Sequence, residues 1–366
     1  MSLLPSPISG KAPPLSGIVF AQRLLETSRH QTAWIEAGPD DGPLMIFLHG
    51  WPELGLIWRT QIEHFAALGW HCVAPDMRGY GGSSRPCSTA AYAVRELVAD
   101  MVELHDALGG APAVWIGHDW GSAVAWSMAS HHAERCRGVA NLCVPYFARG
   151  FALPNLVPLI DRDLYPERSH PVGQWDYWLF YREHFARASR EFEADATATL
   201  TLLYRTAPAR TPGVAAFTAE IRARDGWFGN ARRAPPMPRD ETLLTKDDFH
   251  ALVAAFTQTG FAAPDAWYLN DEANMAFAAE AQNFGKLSLP ALFVHATNDT
   301  VCDTTQSRLA DPMREDCERL TEITVDGGHE IMLEQPEGVN NAIAGWLISE
   351  RLVEMGQDNR SAAIPE

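Results

Sequence analysis

The sequence predicts an α/β fold in which helices cover both faces of a mostly parallel sheet. Short apolar runs of strand length alternate along the chain with segments of helical hydrophobic period, and this alternation is typical of a buried parallel sheet. The chain has 366 residues, including 12 Trp and 16 Phe. It is therefore long enough for one large domain with an insertion, or for two domains.

Apolar runs and turn residues locate the individual elements. We predict strands at residues 44–48, 71–76, 113–117, 138–145, 291–296 and 320–325. The predicted helices cover residues 92–108, 121–132, 304–316 and 337–352, and the first of them ends at Gly109 and Gly110.

The pattern changes between residues 147 and 285. This segment is rich in Pro, Arg and aromatic residues, and its helical stretches are not separated by buried strands. We expect a helical cap domain at 147–285, inserted over the ends of the sheet strands. The core domain is then built from two parts, residues 1–146 and residues 286–366.

Charge and cysteine content exclude several classes of partner. The formal net charge is -17, which argues against nucleic acid and against an anionic membrane surface. No apolar run approaches the roughly 20 residues of a membrane-spanning helix, and the N-terminus does not resemble a signal peptide. The six Cys show no CxxC pair and no metal-ligand spacing with His. We therefore expect reduced thiols, a cytoplasmic location, a polar tail from residue 356, and no metal or cofactor.

The most informative residue is Asp119, within a Gly-x-Asp-x-Gly turn between a predicted strand and a predicted helix. Hydrolases usually hold a nucleophilic Ser in such a turn. An ionised carboxylate there needs no base to attack an electrophilic carbon, and the helix N-terminus favours its charge. The alternative interpretation is an Asp that only caps the helix.

A carboxylate nucleophile forms an ester, so a base is needed to activate water. His329 follows the last predicted strand in a glycine-rich turn, which suits that role. Asp299, after the strand at 291–296, is the favoured acid to orient it, with Asp303 and Asp326 as rivals. The order Asp119, Asp299, His329 is the nucleophile, acid and base order of α/β-hydrolases.

The loop after the first predicted strand supplies a candidate oxyanion hole. Its Trp51 N–H, together with the Trp120 N–H, is predicted to stabilise the negative charge that builds on the carboxyl oxygen of Asp119 when water attacks the ester. A Gly-Pro turn without further role is the alternative interpretation of this loop.

Four motifs resemble the epoxide hydrolases of the α/β-hydrolase superfamily, over residues 30 to 350. They are His-Gly-Trp-Pro-Glu at 49–53 with Trp58 and Gln61 behind it, Asp-Met-Arg-Gly-Tyr-Gly at 76–81, Gly-His-Asp-Trp-Gly at 117–121, and Gly-His at 328–329 with Glu-Gln-Pro-Glu-Gly-Val-Asn at 334–340. The chain departs from the family pattern at Ser122, where a second Gly is common.

The resemblance extends to two cap segments and implies the role of two tyrosines. Residues 175–183 resemble the segment that bears the first ring-opening Tyr, which corresponds to Tyr177, and residues 261–270 resemble the segment of the second, Tyr268. Packing is the alternative role of each ring, and Tyr181 lies one turn from Tyr177. We expect the substrate to be an apolar epoxide, with an aryl epoxide as one candidate, and water to be the second substrate. The epoxide is expected to contact Trp51, Trp120, Trp178 and Trp267.

Two other functions remain open at this stage. A haloalkane dehalogenase shares the Asp nucleophile, and Trp120 would then bind the halide through its indole N–H. A halide leaves as a stable anion, whereas an epoxide oxygen leaves as an alkoxide that needs a proton donor such as Tyr, whose pKa is about 10. The presence of both tyrosines favours the epoxide. A non-catalytic binding protein of this fold is disfavoured, because the triad is complete. The sequence leaves the natural substrate, the enantiopreference, the ring carbon attacked and the oligomeric state undetermined.

Overall fold

The apolar runs form one sheet in the computed structural model, which describes residues 18–353. Within these residues the sheet has eight strands: β1 (Ala21–Glu26), β2 (Gln31–Ala37), β3 (Leu44–Leu48), β4 (His71–Pro75), β5 (Ala113–His118), β6 (Cys136–Leu142), β7 (Ala291–Ala296) and β8 (Leu320–Val325). Their order is β1-β2-β4-β3-β5-β6-β7-β8. The expectations about a signal peptide and the polar tail fall on segments outside the described residues.

The strands from β3 to β8 pair in parallel, whereas β1 pairs with β2, and β2 with β4, in antiparallel fashion. Every residue of β3, β5 and β7 is buried, as expected for strands covered on both faces. All six predicted strands are confirmed. The sequence reading missed β1 and β2, because β1 is a half-exposed edge strand without an apolar run.

Helices pack on the sheet and fill the insertion. Those of the core are α1 (Arg59–Ala67), α2 (Val94–Ala107), α3 (Trp120–His131), α10 (Asp311–Asp316), α11 (Ile331–Glu334) and α12 (Pro336–Ser349). Those between β6 and β7 are α4 (Leu153–Leu156), α5 (Asp176–Glu193), α6 (Ala196–Leu203), α7 (Lys246–Thr259), α8 (Ala262–Asp265) and α9 (Asp271–Ala278). Short 3-10 helices include Gly55–Trp58, Thr89–Tyr92, Gly173–Trp175 and Ala266–Leu269.

One predicted helix was wrong over half of its length. Residues 304–310 form turns, and α10 begins only at Asp311. The Asp303 carboxylate accepts hydrogen bonds from the amides of Thr305 and Gln306, which holds a turn in place of a helix. Pro312 then occupies the first turn of α10, where proline is tolerated.

The segment between β6 and β7 is helical throughout its regular structure, and its described residues include no strand. The side chains of Asp195 and Thr245 cap α6 and α7 by accepting hydrogen bonds from backbone amides. This segment is called the insertion below; its treatment as a separate domain at 147–285 stays a prediction.

Parallel strands bring the chemistry together. The loops after β3, β5, β7 and β8 all leave the same edge of the sheet, so residues far apart in sequence converge there. Among the residues that the structure describes, none of the helices has the length and apolar character required to cross a membrane.

Candidate active site

Asp119 lies in a sharp turn between β5 and α3, with φ 48° and ψ -124°. Close packing around this turn explains the two flanking glycines. A Cβ on Gly121 would lie 2.1 Å from the Leu48 carbonyl oxygen, and a Cβ on Gly117 would lie 2.6 Å from the Gly121 carbonyl oxygen. Only glycine fits at either position, so the turn projects Asp119 from a tightly packed strand end.

The Asp119 carboxylate is held by the loop after β3. Oδ1 accepts a hydrogen bond of 2.7 Å from the Trp51 N–H, and a Cβ on Gly50 would lie 2.3 Å from the same oxygen. The side chain forms no capping hydrogen bond with α3, which disfavours the interpretation as a helix cap. Burial alone would raise the pKa of Asp119, but His329 and the Trp51 N–H lower it below its usual value. The carboxylate is therefore ionised at neutral pH.

His329 lies between two carboxylates. Its Nδ1 is 2.6 Å from Asp299 Oδ2, and its Nε2 is 3.6 Å from Asp119 Oδ2. Burial would lower the pKa of His329, but the charges of Asp299 and Asp119 raise it well above the usual 6.5. Burial would raise the pKa of Asp299, but His329 lowers it below its usual value. Asp299 Oδ1 also accepts hydrogen bonds from the backbone N–H groups of Val301 and Cys302.

The two rival acids face elsewhere. Asp303 pairs with Arg210, at 2.6 Å between Nη1 and Oδ2. Asp326 accepts hydrogen bonds from Thr297 Oγ1 and Asn298 Nδ2. Of the three aspartates considered from the sequence, Asp299 is thus the one in contact with His329.

Asp119 and His329 open onto a cavity of about 270 Å³. Tyr177 and Tyr268 line it from the insertion, with ring centroids 5.5 Å apart. Burial raises the pKa of both hydroxyls well above 10, so both carry a proton at neutral pH. Tyr181, one turn from Tyr177, is fully buried outside the cavity lining. The structure therefore brings together the two tyrosines to which the resemblance pointed.

Three of the four expected substrate-binding tryptophans are placed differently. Trp51 lines the cavity, but the side chains of Trp120, Trp178 and Trp267 do not. They are fully buried, and the Trp120 and Trp178 rings stack on each other at 5.6 Å. These two rings pack edge-on against Tyr268, whereas Trp267 packs against Trp120 and Tyr80.

Other aromatic side chains take the lining positions. Besides the two tyrosines, the insertion contributes Phe151, Trp175 and Trp227 to the cavity wall, together with Leu203, Arg205, Ala207 and Thr218. Aromatic density in the sequence signalled an apolar wall, but it could not separate lining rings from supporting rings.

The predicted oxyanion hole is half formed. The Trp51 N–H contacts Asp119 Oδ1 as expected. Trp120 is the first residue of α3, and among the described residues no hydrogen bond joins its N–H to that carboxylate. Its part in the oxyanion hole stays a prediction.

Sequence reasoning missed a buried polar cluster behind the base. His118 Nε2 lies 2.7 Å from the His329 carbonyl oxygen, and His118 Nδ1 lies 2.9 Å from Glu53 Oε1. Glu330 joins this cluster, all three side chains are buried, and burial raises the Glu53 pKa to about 8. The signal available was the motif at 49–53 together with Glu330 directly after the base.

Among residues 18–353, the groups of His, Cys, Asp and Glu that could hold a metal ion lie within this machinery, apart from the group of Glu36, Asp40 and His71. Asp299, Cys302 and His329 have ligand atoms within 4.8 Å of one another. The short contact between Asp299 and His329 already uses one atom of each. The expectation that no metal or cofactor takes part stays a prediction.

Comparisons with known proteins agree with this geometry. A family model described as alpha/beta hydrolase fold matches residues 43–336. Epoxide hydrolase A of Mycobacterium tuberculosis is 33% identical over 330 residues, which cover 89% of this chain and 97% of that protein. Bifunctional epoxide hydrolase 2 of Sus scrofa is 32% identical over 86% of this chain, but the match covers only 52% of that protein.

Solved structures give the same result. The crystal structure of epoxide hydrolase A from Mycobacterium thermoresistibile is 30% identical, with a TM-score of 0.72 over 90% of this chain and 98% of that one. An epoxide hydrolase from an endophytic Streptomyces is 28% identical, with a TM-score of 0.75 over 92% and 97%. The chain belongs to the α/β-hydrolase family. Within that family it is an enzyme of the epoxide hydrolase group.

Proposed function

We propose that this protein converts an apolar epoxide to a vicinal diol through an ester on Asp119. The observation that carries the proposal is the convergence of five side chains on one cavity. Asp119, His329 and Asp299 line it from the core, and Tyr177 and Tyr268 line it from the insertion. The nucleophile thus faces two protonated donors across a space that a small molecule can fill.

The first step is ring opening. Asp119 Oδ1 is held by the Trp51 N–H, so Oδ2 is the oxygen available to attack a ring carbon. The carbon–oxygen bond of the ring breaks, and its electron pair leaves on the epoxide oxygen. Tyr177 or Tyr268 donates a proton to that oxygen, which avoids the release of a strongly basic alkoxide.

The second step is hydrolysis of the ester. Esterification removes the negative charge of Asp119, so the pKa of His329 falls and the neutral imidazole becomes available as a base. His329 Nε2 takes a proton from water, whose oxygen attacks the ester carbonyl carbon while Asp299 holds Nδ1. The Trp51 N–H, and with it the Trp120 N–H, stabilises the oxyanion on Oδ1. Collapse breaks the bond between the ester carbonyl carbon and the substrate oxygen, and the protonated His329 gives its proton to that oxygen to complete the diol. The second proton of the water, left on the regenerated Asp119 carboxyl group, returns to the tyrosinate.

The cavity supports an apolar substrate. Phe151, Trp175 and Trp227 present aromatic surface beside the two tyrosines. An aryl epoxide fits this chemistry, since aromatic rings stack on aromatic walls.

The cytoplasmic location also remains a proposal.

Trapping of the ester tests the proposal. In His329→Gln the ring should open while the ester persists, so intact-mass measurement after incubation with styrene oxide should show the enzyme plus one substrate. Asp119→Ala provides the control and should show neither an adduct nor diol. Normal turnover by His329→Gln without an adduct would contradict the two-step scheme.

The haloalkane dehalogenase alternative needs an N–H donor for the halide. Among the described residues, the Nε1 atoms of Trp175 and Trp227, which line the cavity, have no hydrogen-bond partner; that of Trp120 is also unpaired, but its side chain lies outside the lining. The Trp51 indole, by contrast, already donates to Asp265. Halide release from a chloroalkane faster than diol formation from styrene oxide would favour this alternative.

A further inference from the structure

A buried carboxyl group in the insertion binds the loop that holds the nucleophile. Asp265 is the last residue of α8, is fully buried, and precedes Tyr268 by three residues. Its Oδ1 accepts a hydrogen bond of 3.0 Å from the Trp51 indole N–H. Its Oδ2 contacts Ser189 Oγ of α5 at 2.9 Å. No described Lys, Arg or His forms an ion pair with it.

The local hydrogen bonds accommodate Asp265 as a neutral acid. Burial raises its pKa to about 8, and Glu193 adds to this effect. In the neutral form, Oδ2 donates to Ser189 Oγ, and the serine hydroxyl donates in turn to the Phe185 carbonyl oxygen at 3.3 Å. Each polar atom then has a partner, so the carboxyl group is held in place without a cation.

Trp51 therefore connects two sites by its two N–H groups. Its peptide N–H donates to Asp119, and its indole N–H donates to Asp265. The indole also stacks on Trp227 at 6.0 Å and meets Tyr268 edge-on at 6.4 Å. The orientation of the oxyanion donor thus depends on a contact with the insertion.

We propose that Asp265 is a positioning residue that anchors Trp51, and so fixes the oxyanion donor relative to Asp119 and Tyr268. This inference rests on the proposed two-step reaction. An oxyanion donor acts mainly when charge develops on the ester oxygen, so a loose Trp51 slows ester hydrolysis more than it weakens substrate binding.

Single-turnover kinetics of three variants test the anchor. Removal of a direct oxyanion donor costs about 10²–10³ in rate, so misplacement of one in Asp265→Ala should slow ester hydrolysis by about 10–100-fold. The value of kcat/KM, which reports binding and ring opening, should change by less than about threefold. Asp265→Asn should restore most of the rate of ester hydrolysis, since its amide accepts from Trp51 and donates to Ser189. Trp51→Phe, which keeps an aromatic ring and the peptide N–H but not the indole N–H, should slow the same step.

A double-mutant cycle separates anchoring from general loss of packing. Asp265→Ala in the Trp51→Phe background should cause little additional loss, whereas independent effects would multiply. Asp271→Ala is the matched control, because this buried carboxylate binds only Arg182 and the Leu153 amide within the insertion. It should lower stability without changing the rate of ester hydrolysis.

The outcomes are distinct. A normal rate of ester hydrolysis in Trp51→Phe would overturn the anchor, whether or not Asp265→Ala folds. If Asp265→Ala folds, multiplying effects in the double mutant would also overturn it. Absence of any adduct in His329→Gln would overturn the ester scheme instead. In that case the anchor is still tested by comparing the loss of kcat with the change of KM in Trp51→Phe and in Asp265→Asn.

Discussion

The two walls of the cavity differ in charge and in the way they are built. The core wall carries Asp119, Asp299 and His329, which are ionisable groups held by short hydrogen bonds at the ends of parallel strands. The insertion wall carries Tyr177 and Tyr268, which are neutral aromatic residues on helices. A charged wall thus faces a largely aromatic wall, which in the proposed scheme supplies the proton for ring opening.

This difference separates the two chemical tasks. In the proposed scheme, the core wall forms and hydrolyses the ester. The insertion wall supplies the proton donor that an epoxide needs and a halide does not. Variants of His329 or Asp299 should therefore stop the second step, whereas variants of Asp119 or of both tyrosines should stop the first.

The largest expected effect lies in the core wall. Asp299→Asn should slow ester hydrolysis by roughly 10³–10⁴, because the imidazole loses its orientation and charge partner. Ring opening should continue, so the ester should accumulate in the mass spectrum. Asp326→Asn changes a rival acid that contacts Thr297 and Asn298. An equal loss in Asp326→Asn would show that the triad acid was wrongly assigned.

The insertion wall should give the next largest effect. Tyr177→Phe with Tyr268→Phe should slow ring opening by about 10²–10⁴, the usual contribution of general acid catalysis. No ester should form, even when His329→Gln is added to trap it. Tyr181→Phe is the control, since this ring lies outside the cavity, and its activity should stay within about threefold of the unchanged enzyme. Rapid ester formation from an epoxide by the double variant would contradict the role of the two tyrosines as proton donors.

A smaller effect is expected on the pKa of His329, which depends on the negative charge of Asp119. Asp119→Asn removes the same negative charge that esterification removes, so the pKa of His329 should fall. NMR titration of the imidazole measures this shift, with intact mass to verify the variant. Asp303→Asn should leave the pKa of His329 unchanged, as Asp303 pairs with Arg210. An unchanged pKa in Asp119→Asn would contradict the proposed release of the base.

The smallest effect is a pH-dependent change of stability at the contact between the walls. The pKa of Asp265 is about 8 in the folded protein, against about 3.9 in an unfolded chain. Stability is therefore highest below the unfolded value and declines as the pH rises from about 4 to about 8. Asp265→Asn cannot ionise, so its free energy of unfolding should rise relative to that of the unchanged protein over this interval. Urea unfolding at pH 5 and pH 8.5 measures the difference, and a constant difference would contradict the raised pKa.

Much of the core wall could be predicted from local sequence. The apolar runs of β3, β5 and β7 are fully buried, and such runs are readable because both faces of a parallel strand meet hydrophobic neighbours. Asp119 lies between two glycines that the packing requires. The edge strand β1 lacked a comparable signal, and a side-chain turn at Asp303 replaced the start of α10.

The insertion wall could not be predicted to the same depth. Tyr177 and Tyr268 were identified by resemblance, but spacing along a helix did not show that Trp178 packs against Tyr268 from outside the cavity while Trp175 and Trp227 line it. Which ring lines a cavity depends on helix packing among residues far apart in sequence.

The sequence by itself predicted six of the eight described strands, the chain order Asp119, Asp299, His329 and the carboxylate in the turn after β5, because each follows from local patterns of residues. The tertiary structure alone decided which aspartate meets His329, which rings face the substrate, and that the Trp51 indole reaches Asp265. These contacts join residues more than 25 positions apart, and the Trp51 contact spans 214. They depend on how the insertion packs against the sheet, which no local pattern encodes.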